Sequence, residues 1–196
     1  MITIRAHDPD ANVNALSFSA DGRLLASSAT DGFVKVWAVD RFAAGAPVWA
    51  DAPGDGKMFH LQFSPDGQLL FACGDGHSAW VWPVTGGPAR ELEPGPGGPL
   101  VHATVLTCSD DSRFVAWAGG YLGAPSRIVS ASVGDRRFHR RFRGHPNAIG
   151  ILAAGPDGLV SGSADRRVRF WDWRTGRMYH ELVLRGYVRT LAVSRA

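Results

Sequence analysis

One unit of about 45 residues recurs along this chain, and that repetition constrains the fold more than any other feature. The copies are FSADGRLLASSATDGFVKVW (18–37), FSPDGQLLFACGDGHSAWVW (63–82), a degenerate version at 108–132, and AGPDGLVSGSADRRVRFW (154–171). The aspartates that anchor them are spaced 45, 45 and 46 residues apart, at Asp21, Asp66, Asp111 and Asp157. Four units on one period indicate a single repeat architecture.

Each unit combines short runs rich in Val, Leu, Phe and Trp with Asp-Gly corners, a pattern typical of strands joined by tight hairpins. In the first unit the pattern predicts strands at 13–18, 23–28, 33–37 and 47–50. No segment shows the period of an amphipathic helix. Four antiparallel strands in about 45 residues match one blade of a β-propeller, so the sequence predicts an all-β fold.

We therefore predict a single β-propeller domain over residues 1–196, with about four four-stranded antiparallel blades. The approximate blades are 7–50, 51–92, 98–142 and 144–184, and residues 185–196 begin a further blade. Residues 2–5 have the pattern of a preceding blade's last strand. These extra strands predict an open or incomplete ring, completed by a second copy or by missing blades of a longer product. Closure of the four blades on themselves is less favoured, because it leaves no place for the end strands.

A set of polar residues repeats inside two of the units, in the order His, Ser, Asp and Trp. In the first unit the set is His7, Ser27, Asp31 and Trp37. In the fourth it is His145, Ser161, Asp165 and Trp171. With these residues and its Gly144-His145 and Trp171-Asp172 pairs, the chain resembles the WD-repeat family over nearly its whole length. The resemblance implies that each set forms a structural, hydrogen-bonded tetrad inside its blade.

The second and third units depart from the family pattern. The second keeps Asp75 and Trp82, but Ala72 stands at the position of the Ser. Its His60 lies within the first predicted strand instead of the preceding loop. The third unit has no Trp at the end of its third strand, and a longer corner at 119–127 replaces the Asp. We expect these two blades to depend on apolar packing instead of a tetrad.

The combination of His7, Ser27 and Asp31 also has the residue types of a hydrolytic triad, but a structural role is the better interpretation. The same combination recurs in the fourth unit, whereas an active site is normally built once. The seven histidines show no metal-binding spacing, and the two cysteines, Cys73 and Cys108, lie far apart. We therefore predict no catalytic residue, no metal and no cofactor.

The geometry implied by the family resemblance gathers loops from every blade on one face of the propeller. Aromatic and arginine side chains, the types favoured at binding hot spots, are expected among the residues displayed there. The candidates are Phe59, Tyr121, Leu122, Arg166, Arg167 and Tyr187. The long corner around Tyr121 is a special feature, because a loop longer than its sister repeats costs little and commonly carries function.

A basic run, RRFHRRFR, occupies residues 136–143 and predicts the outermost strand of the third blade. Strand alternation would place Phe138 and Phe142 on one face. The opposite face would carry a row of cations, comprising Arg137, His139, Arg141 and Arg143. An anionic partner, such as a nucleic-acid backbone, an acidic protein segment or a phospholipid surface, is one interpretation. We favour the other, in which charge protects an exposed strand edge from aggregation.

These features predict a WD-repeat scaffold that binds other proteins through its loop-bearing face without catalysis. One alternative is a catalytic or ligand-binding propeller with a site at the central channel. Among the groups that such a site would need, the innermost strands supply His60 and His102. Another alternative is a fragment of a larger WD-repeat protein.

The composition limits where such a scaffold would work. The chain is 45% hydrophobic and 20% charged, as in ordinary globular domains, and its net charge of +3 does not favour nucleic acid as the partner. The N-terminal residues do not resemble a secretory signal, and no window approaches the roughly 18 apolar residues of a membrane span. We therefore expect a cytoplasmic protein without membrane insertion.

Overall fold

Four sheets of four antiparallel strands make up the fold of this chain. The computed structural model describes residues 6–76, 79–93, 95, 102–120, 125–155 and 158–193. Within each sheet the strands are ordered as they follow along the chain. The predicted all-β class and the four-stranded antiparallel blades are therefore confirmed.

The strands fall into four consecutive blades. Blade 1 comprises β1 (Val13–Phe18), β2 (Leu24–Ala29), β3 (Val34–Ala38) and β4 (Trp49–Asp51). Blade 2 comprises β5 (Met58–Phe63), β6 (Leu69–Gly74), β7 (Trp80–Pro83) and β8 (Arg90–Glu91). Blade 3 comprises β9 (Val105–Cys108), β10 (Phe114–Gly119), β11 (Arg127–Ser132) and β12 (Phe138–Phe142). Blade 4 comprises β13 (Ile149–Gly155), β14 (Gly158–Ser163), β15 (Arg167–Trp171) and β16 (Met178–Val183).

One short helix interrupts this pattern, because Val39–Ala44 forms a 3-10 helix between β3 and β4. The helix ends at Gly45, whose N–H donates to the carbonyl of Phe42 at 3.0 Å. The sequence showed no helical pattern here because 6 residues make too few turns to display an apolar face.

The corner between the first and second strands is built in the same way in the first three blades. In blade 1 the Ser19 hydroxyl donates to an Asp21 carboxylate oxygen at 2.6 Å, and the Arg23 N–H donates to the same oxygen at 3.0 Å. The equivalent pairs are Ser64 with Asp66 and Ser109 with Asp111. The matching Asp157 lies outside the described residues. This shared corner explains why the aspartates carry the clearest repeat signal.

Each blade packs one face against the preceding blade and the other against the next, and we name these the ingoing and outgoing faces. Between blades 1 and 2, for example, outgoing residues Ala26 and Val36 pack with ingoing residues Leu61, Phe63 and Trp82. The innermost strands β1, β5, β9 and β13 touch one another in that order. Within the described part of the chain, no contact of comparable extent joins β13 back to β1.

The segment at 184–193 covers the outgoing face of blade 4. Its Val188, Leu191 and Val193 pack against Val160 and Val168. The predicted extra strand at this end is thus a packed segment that shows no strand pairing as far as residue 193. The strand predicted at 2–5 lies outside the described residues. In the described ranges, no helix has the length and apolar character to cross a membrane.

Blade 3 fills its interior by an exchange of large and small residues. Trp117 on β10 pairs with Leu106, just as Ser27 pairs with Leu16 in blade 1. Ala131 on β11 holds the position of the missing third-strand tryptophan, and it is fully buried, as Trp117 is. The tryptophan has therefore moved from the third strand to the second, which preserves the packed volume.

Candidate functional site

Blade 4 contains a hydrogen-bonded chain that runs from a buried histidine to a buried tryptophan. Nδ1 of His145 lies 2.8 Å from a carboxylate oxygen of Asp165, and Nε2 lies 2.7 Å from the Ser161 hydroxyl. The indole N–H of Trp171 donates to the same hydroxyl at 2.8 Å. All four polar side chains thus have partners inside the blade, which removes the cost of burying them.

Blade 1 repeats this arrangement with nearly the same distances. Nδ1 of His7 lies 2.9 Å from Asp31, and Nε2 lies 2.8 Å from the Ser27 hydroxyl. The Trp37 indole N–H donates to Ser27 at 3.1 Å. The structure therefore brings together all eight residues of the two predicted sets. In both blades the serine is buried and already engaged by two neighbours, an arrangement that serves support better than nucleophilic attack.

The blade 4 tetrad extends into a network of charges that blade 1 lacks. Arg169 is almost buried, with its Nη1 3.7 Å from Asp165 and its Nε 2.7 Å from Glu181. Arg167 also pairs with Glu181. Burial lowers the pKa of His145, and the nearby Asp165 carboxylate offsets part of that effect. This network joins β15 to β16 across the sheet.

Blade 2 combines the apolar packing expected of it with polar contacts to its neighbouring blades. The Trp82 indole N–H donates to Asp51 of blade 1 at 2.8 Å, and the Ala89 N–H reaches the same carboxylate at 3.3 Å. Asp75 pairs with His102, which precedes the first strand of blade 3. Neighbouring blades therefore supply the partners that the missing tetrad does not, a pattern that no single repeat reveals.

His60 and His102, the groups available for a central-channel site, have different surroundings. His102 pairs with Asp75, and its ring lies 6.5 Å from that of Phe59. Nδ1 of His60 is buried without a hydrogen-bond partner among the described residues, and burial lowers the pKa of His60. The described residues of the chain include no cluster of three or more His, Cys, Asp or Glu side chains suited to a metal. Both free cysteines are buried, and burial raises the pKa of Cys108 to about 12.

A cleft on the loop-bearing face of blade 4 brings two of the predicted partner-binding residues together. Arg166 and Tyr187 line it, with Asn147, Asp165 and Arg185 completing the walls. Both Arg166 and Tyr187 are exposed. Because Asp165 is bound to His145 and lies 3.7 Å from the Arg169 guanidinium, the charges left exposed at the mouth are those of Arg166 and Arg185. We call this site the blade 4 cleft.

The other predicted partner-binding residues lie elsewhere. Phe59 is the bulged residue of β5, half-buried beside His102 rather than displayed in a loop. Arg167 begins β15 and is engaged by Glu181. Tyr121 and Leu122 lie outside the described residues. The blade 4 cleft is therefore the part of the predicted surface that the structure assembles.

Arg166 has an unfavourable backbone conformation at the edge of this cleft. It follows the turn aspartate of its blade with a φ of 67°, whereas blades 1 and 2 have Gly32 and Gly76 at the matching position. A left-handed conformation costs a residue with a side chain about 1 to 2 kcal/mol, and glycine escapes that cost. Strain of this kind concentrates at functional sites, so the arginine points to a role for its side chain.

The basic strand is the outermost strand of blade 3, but its side chains are not arranged as alternation predicted. A bulge between β11 and β12 puts Phe138 in the cluster toward blade 2 and Phe142 in the cluster toward blade 4. His139 does not face outward, because its ring stacks on Phe114 at 4.2 Å and its Nε2 lies 3.1 Å from the Trp173 carbonyl. The predicted row of cations is thus interrupted.

Three arginines of the predicted row have separate environments. Arg137 and Arg143 are exposed, and Arg141 is half-buried. Burial and the nearby charges of Arg127 and Arg143 lower the pKa of Arg141. Arg140, which is not part of the predicted row, joins blade 3 to blade 4, because its Nε donates to the Arg174 carbonyl at 2.8 Å.

Three histidines with lowered pKa values predict a loss of stability in mild acid. Because the unfolded chain titrates near the ordinary pKa of 6.5, it binds protons that folded His60, His139 and His145 resist. We expect the melting temperature to fall as the pH drops from about 7.5 to 5.5. The variant His60→Gln should reduce that fall, as measured by thermal denaturation at each pH. His180→Gln, an exposed control on β16, should leave the fall unchanged, and an equal effect of both variants would contradict the assignment.

Comparison with known protein families matches residues 1–38, 53–82 and 136–172, together more than half of the chain, to the family described as WD domain, G-beta repeat. Similar curated proteins include Angio-associated migratory cell protein of Homo sapiens, 28% identical over 85% of this chain and 37% of its own length. F-box-like/WD repeat-containing protein TBL1X of Mus musculus is 25% identical over 79% of this chain and 27% of its length. WD repeat-containing protein 18 of Homo sapiens is 22% identical over 98% of this chain and 48% of its length. The chain thus spans between about a quarter and a half of these relatives.

Proposed function

Because this chain belongs to the WD-repeat family, we propose that it is a scaffold that binds other proteins through its loop-bearing face and catalyses no reaction. The family generally mediates protein–protein interactions. The observation that carries the proposal here is the strained, exposed Arg166 beside Tyr187 in the blade 4 cleft. The repeated tetrads support a non-catalytic role, because they occupy the Ser, His and Asp side chains inside the blades.

The chemistry of the blade 4 cleft favours a protein segment with an acceptor or acidic group. Arg166 and Arg185 offer donors and positive charge at the cleft mouth, and Tyr187 offers an exposed ring. Arginine and tyrosine are enriched among the residues that dominate binding energy at interfaces. The partner would place its acidic group between the arginines and its apolar part against Tyr187. The free, buried cysteines support a cytoplasmic setting, where thiols stay reduced.

The variant Arg166→Gly tests the role of the strained residue. We expect the free energy of unfolding to rise by about 1 kcal/mol, because glycine relieves the left-handed strain. Partner binding should weaken at the same time. The measurement pairs thermal denaturation with quantitative affinity purification from the source cell, in which proteins retained by the native chain are compared with those retained by the variant.

Two further variants locate the binding surface. Tyr187→Ala should lose the same retained proteins as Arg166→Gly. Arg41→Ala, which alters an exposed arginine in the 3-10 helix of blade 1, should still retain these proteins. If all three variants retain the same proteins as the native chain, the blade 4 cleft is not the binding surface. If Arg166→Gly binds normally but is more stable, the strain has no functional origin.

A further inference from the structure

The ingoing face of blade 1 is exposed where the equivalent faces of the other blades are covered. One leucine position recurs in all four blades, and strand register defines it, because each leucine lies opposite the same position of the second strand. Leu61, Leu106 and Leu152 are 2%, 1% and 4% exposed, whereas Leu16 is 62% exposed. The preceding blade covers the first three, and within the described residues no blade covers Leu16.

The residue two positions after each leucine, on the same ingoing face of the first strand, shows the same contrast in exposure. Phe63 and Cys108 are 4% and 1% exposed, whereas Phe18 of blade 1 is 60% exposed. Leu16 and Phe18 project from one face of β1, two residues apart, so they form a continuous apolar surface. Exposed apolar surface of this kind marks an interaction site. We call it the blade 1 seat.

We propose that the blade 1 seat receives the outgoing face of blade 4 from a second copy of this chain. Three joints within the chain show what such a seat accepts, because each pairs an ingoing Leu with an apolar outgoing surface, which is small or β-branched in two joints and includes Phe71 in the third. Ala26 with Val36 and Ala116 with Ile128 are two such outgoing surfaces. Val160 and Val168 give blade 4 the same kind of surface, and no further blade covers it in the described part of the chain.

The segment at 184–193 controls access to that surface. Its Leu191-Ala192-Val193 sequence matches the spacing of Leu16-Ser17-Phe18, and Leu191 and Val193 pack on the outgoing face where a next blade would place those residues. Unlike β1, this segment shows no strand pairing as far as residue 193. Besides its apolar contacts, two backbone hydrogen bonds attach it to blade 4, from the Leu184 N–H to the Arg166 carbonyl at 2.8 Å and from the Val188 N–H to the Ser163 carbonyl at 3.3 Å. A complete blade with the same two apolar contacts can therefore replace it.

The exchange predicts a closed dimer. Each copy has one seat and one outgoing face, so the contact is head-to-tail and two such contacts close a ring of eight blades. Eight blades lie within the range of known propellers. The contact does not use Arg166, so its test is separate from that of the proposed partner binding, but replacement of the segment also moves Arg185 and Tyr187 of the blade 4 cleft.

Light scattering after size exclusion tests this proposal on the full chain of 21.0 kDa. We expect a dimer at twice that mass, in an equilibrium that shifts toward monomer on dilution. The double variant Leu16→Asp with Phe18→Asp should be a folded monomer, because both side chains are already exposed in the single chain. Val183→Asp, which alters an exposed apolar residue on the other face of β16 from Val168, should dimerise normally, and Arg166→Gly should not alter the mass.

A second pair of substitutions tests the role of the segment. Leu191→Ala with Val193→Ala should loosen the segment and tighten dimerisation at least about tenfold, or about 1.4 kcal/mol. A native chain and a loosened variant that both remain monomeric up to roughly 100 μM, well above ordinary specific affinities, would overturn the proposal. Larger assemblies that persist in the Leu16→Asp, Phe18→Asp variant would overturn it as well, because they would not use the blade 1 seat.

Discussion

Replacing Trp171 by alanine is expected to lower the free energy of unfolding by about 4 kcal/mol, as for other tryptophans lost from a packed core. Trp171 is buried between blades 3 and 4, where its ring meets Phe142 edge-on at 5.9 Å. Its indole N–H also satisfies the Ser161 hydroxyl at 2.8 Å. The substitution therefore leaves both a cavity and a weakened tetrad. Thermal denaturation should show a fall in melting temperature on the order of 10 °C.

Trp37→Ala provides the matched control in blade 1. Trp37 occupies the same tetrad position and is equally hidden from solvent, but it belongs to none of the four apolar clusters that the described residues form. Its loss should therefore cost roughly half as much as that of Trp171, since less packing is removed. Equal losses in the two variants would contradict the expectation that Trp171, which packs between two blades, contributes more to stability than Trp37.

Replacing Asp165 by alanine is expected to cost about 3 kcal/mol, the lower end of the range for breaking a buried charge pair. The carboxylate lies 2.8 Å from Nδ1 of His145 and accepts the Arg167 N–H at 3.0 Å. It also lies 3.7 Å from the guanidinium of Arg169, which is almost buried. Its removal leaves Arg169 with Glu181 alone and leaves His145 without its acceptor. Denaturant unfolding of the variant measures the loss.

The equivalent variant of blade 1 separates the contribution of the histidine contact from that of the buried arginine. Lys35 holds the position of Arg169 there, and its ammonium lies over the Phe33 ring at 5.2 Å instead of pairing with Asp31. Asp31→Ala should therefore cost less than Asp165→Ala, about 1 to 2 kcal/mol, because no buried cation is left behind. The double variant Asp165→Ala with Arg169→Met should recover part of the Asp165 loss. If the loss of unfolding free energy in the double variant equals the sum of the two single losses, Arg169 does not depend on Asp165.

Much of the fold could be predicted because each blade repeats local signals. In blade 1 the strands at 13–18, 23–28, 33–37 and 47–50 were predicted, and the structure has Val13–Phe18, Leu24–Ala29, Val34–Ala38 and Trp49–Asp51. Alternating apolar residues and Asp-Gly corners act over a few residues, so the sequence displays them directly. The residues of the two tetrads were visible for the same reason, since they recur at matching positions.

Features that depend on contacts between strands or blades could not be predicted in the same way. The bulge opposite Ser130 and Ala131 shifts the register of β12, and this shift sends Phe138 and Phe142 to opposite faces. Nothing within the run 136–143 marks that bulge. The exchange of Trp117 and Ala131 likewise becomes visible when the two strands are aligned by their pairing.

Partners from neighbouring blades were hidden for a related reason. Asp51 accepts a hydrogen bond from Trp82 of the following blade, and His102 pairs with Asp75 of the preceding blade. Each residue looks unremarkable within its own repeat, because the position it serves is about 30 residues away along the chain. The strain at Arg166 could have been suspected from sequence, since arginine replaces the glycine that follows Asp31 and Asp75.

The two intact tetrads lie in blades 1 and 4, and the two blades without them lie between. Blades 2 and 3 each pack against a described blade on both faces, so their neighbours can support them where an internal polar brace is missing. Blades 1 and 4 each pack against one described blade, and their tetrads join the strands from within. Among the described residues, support from inside a blade is therefore found where support from its neighbours is one-sided.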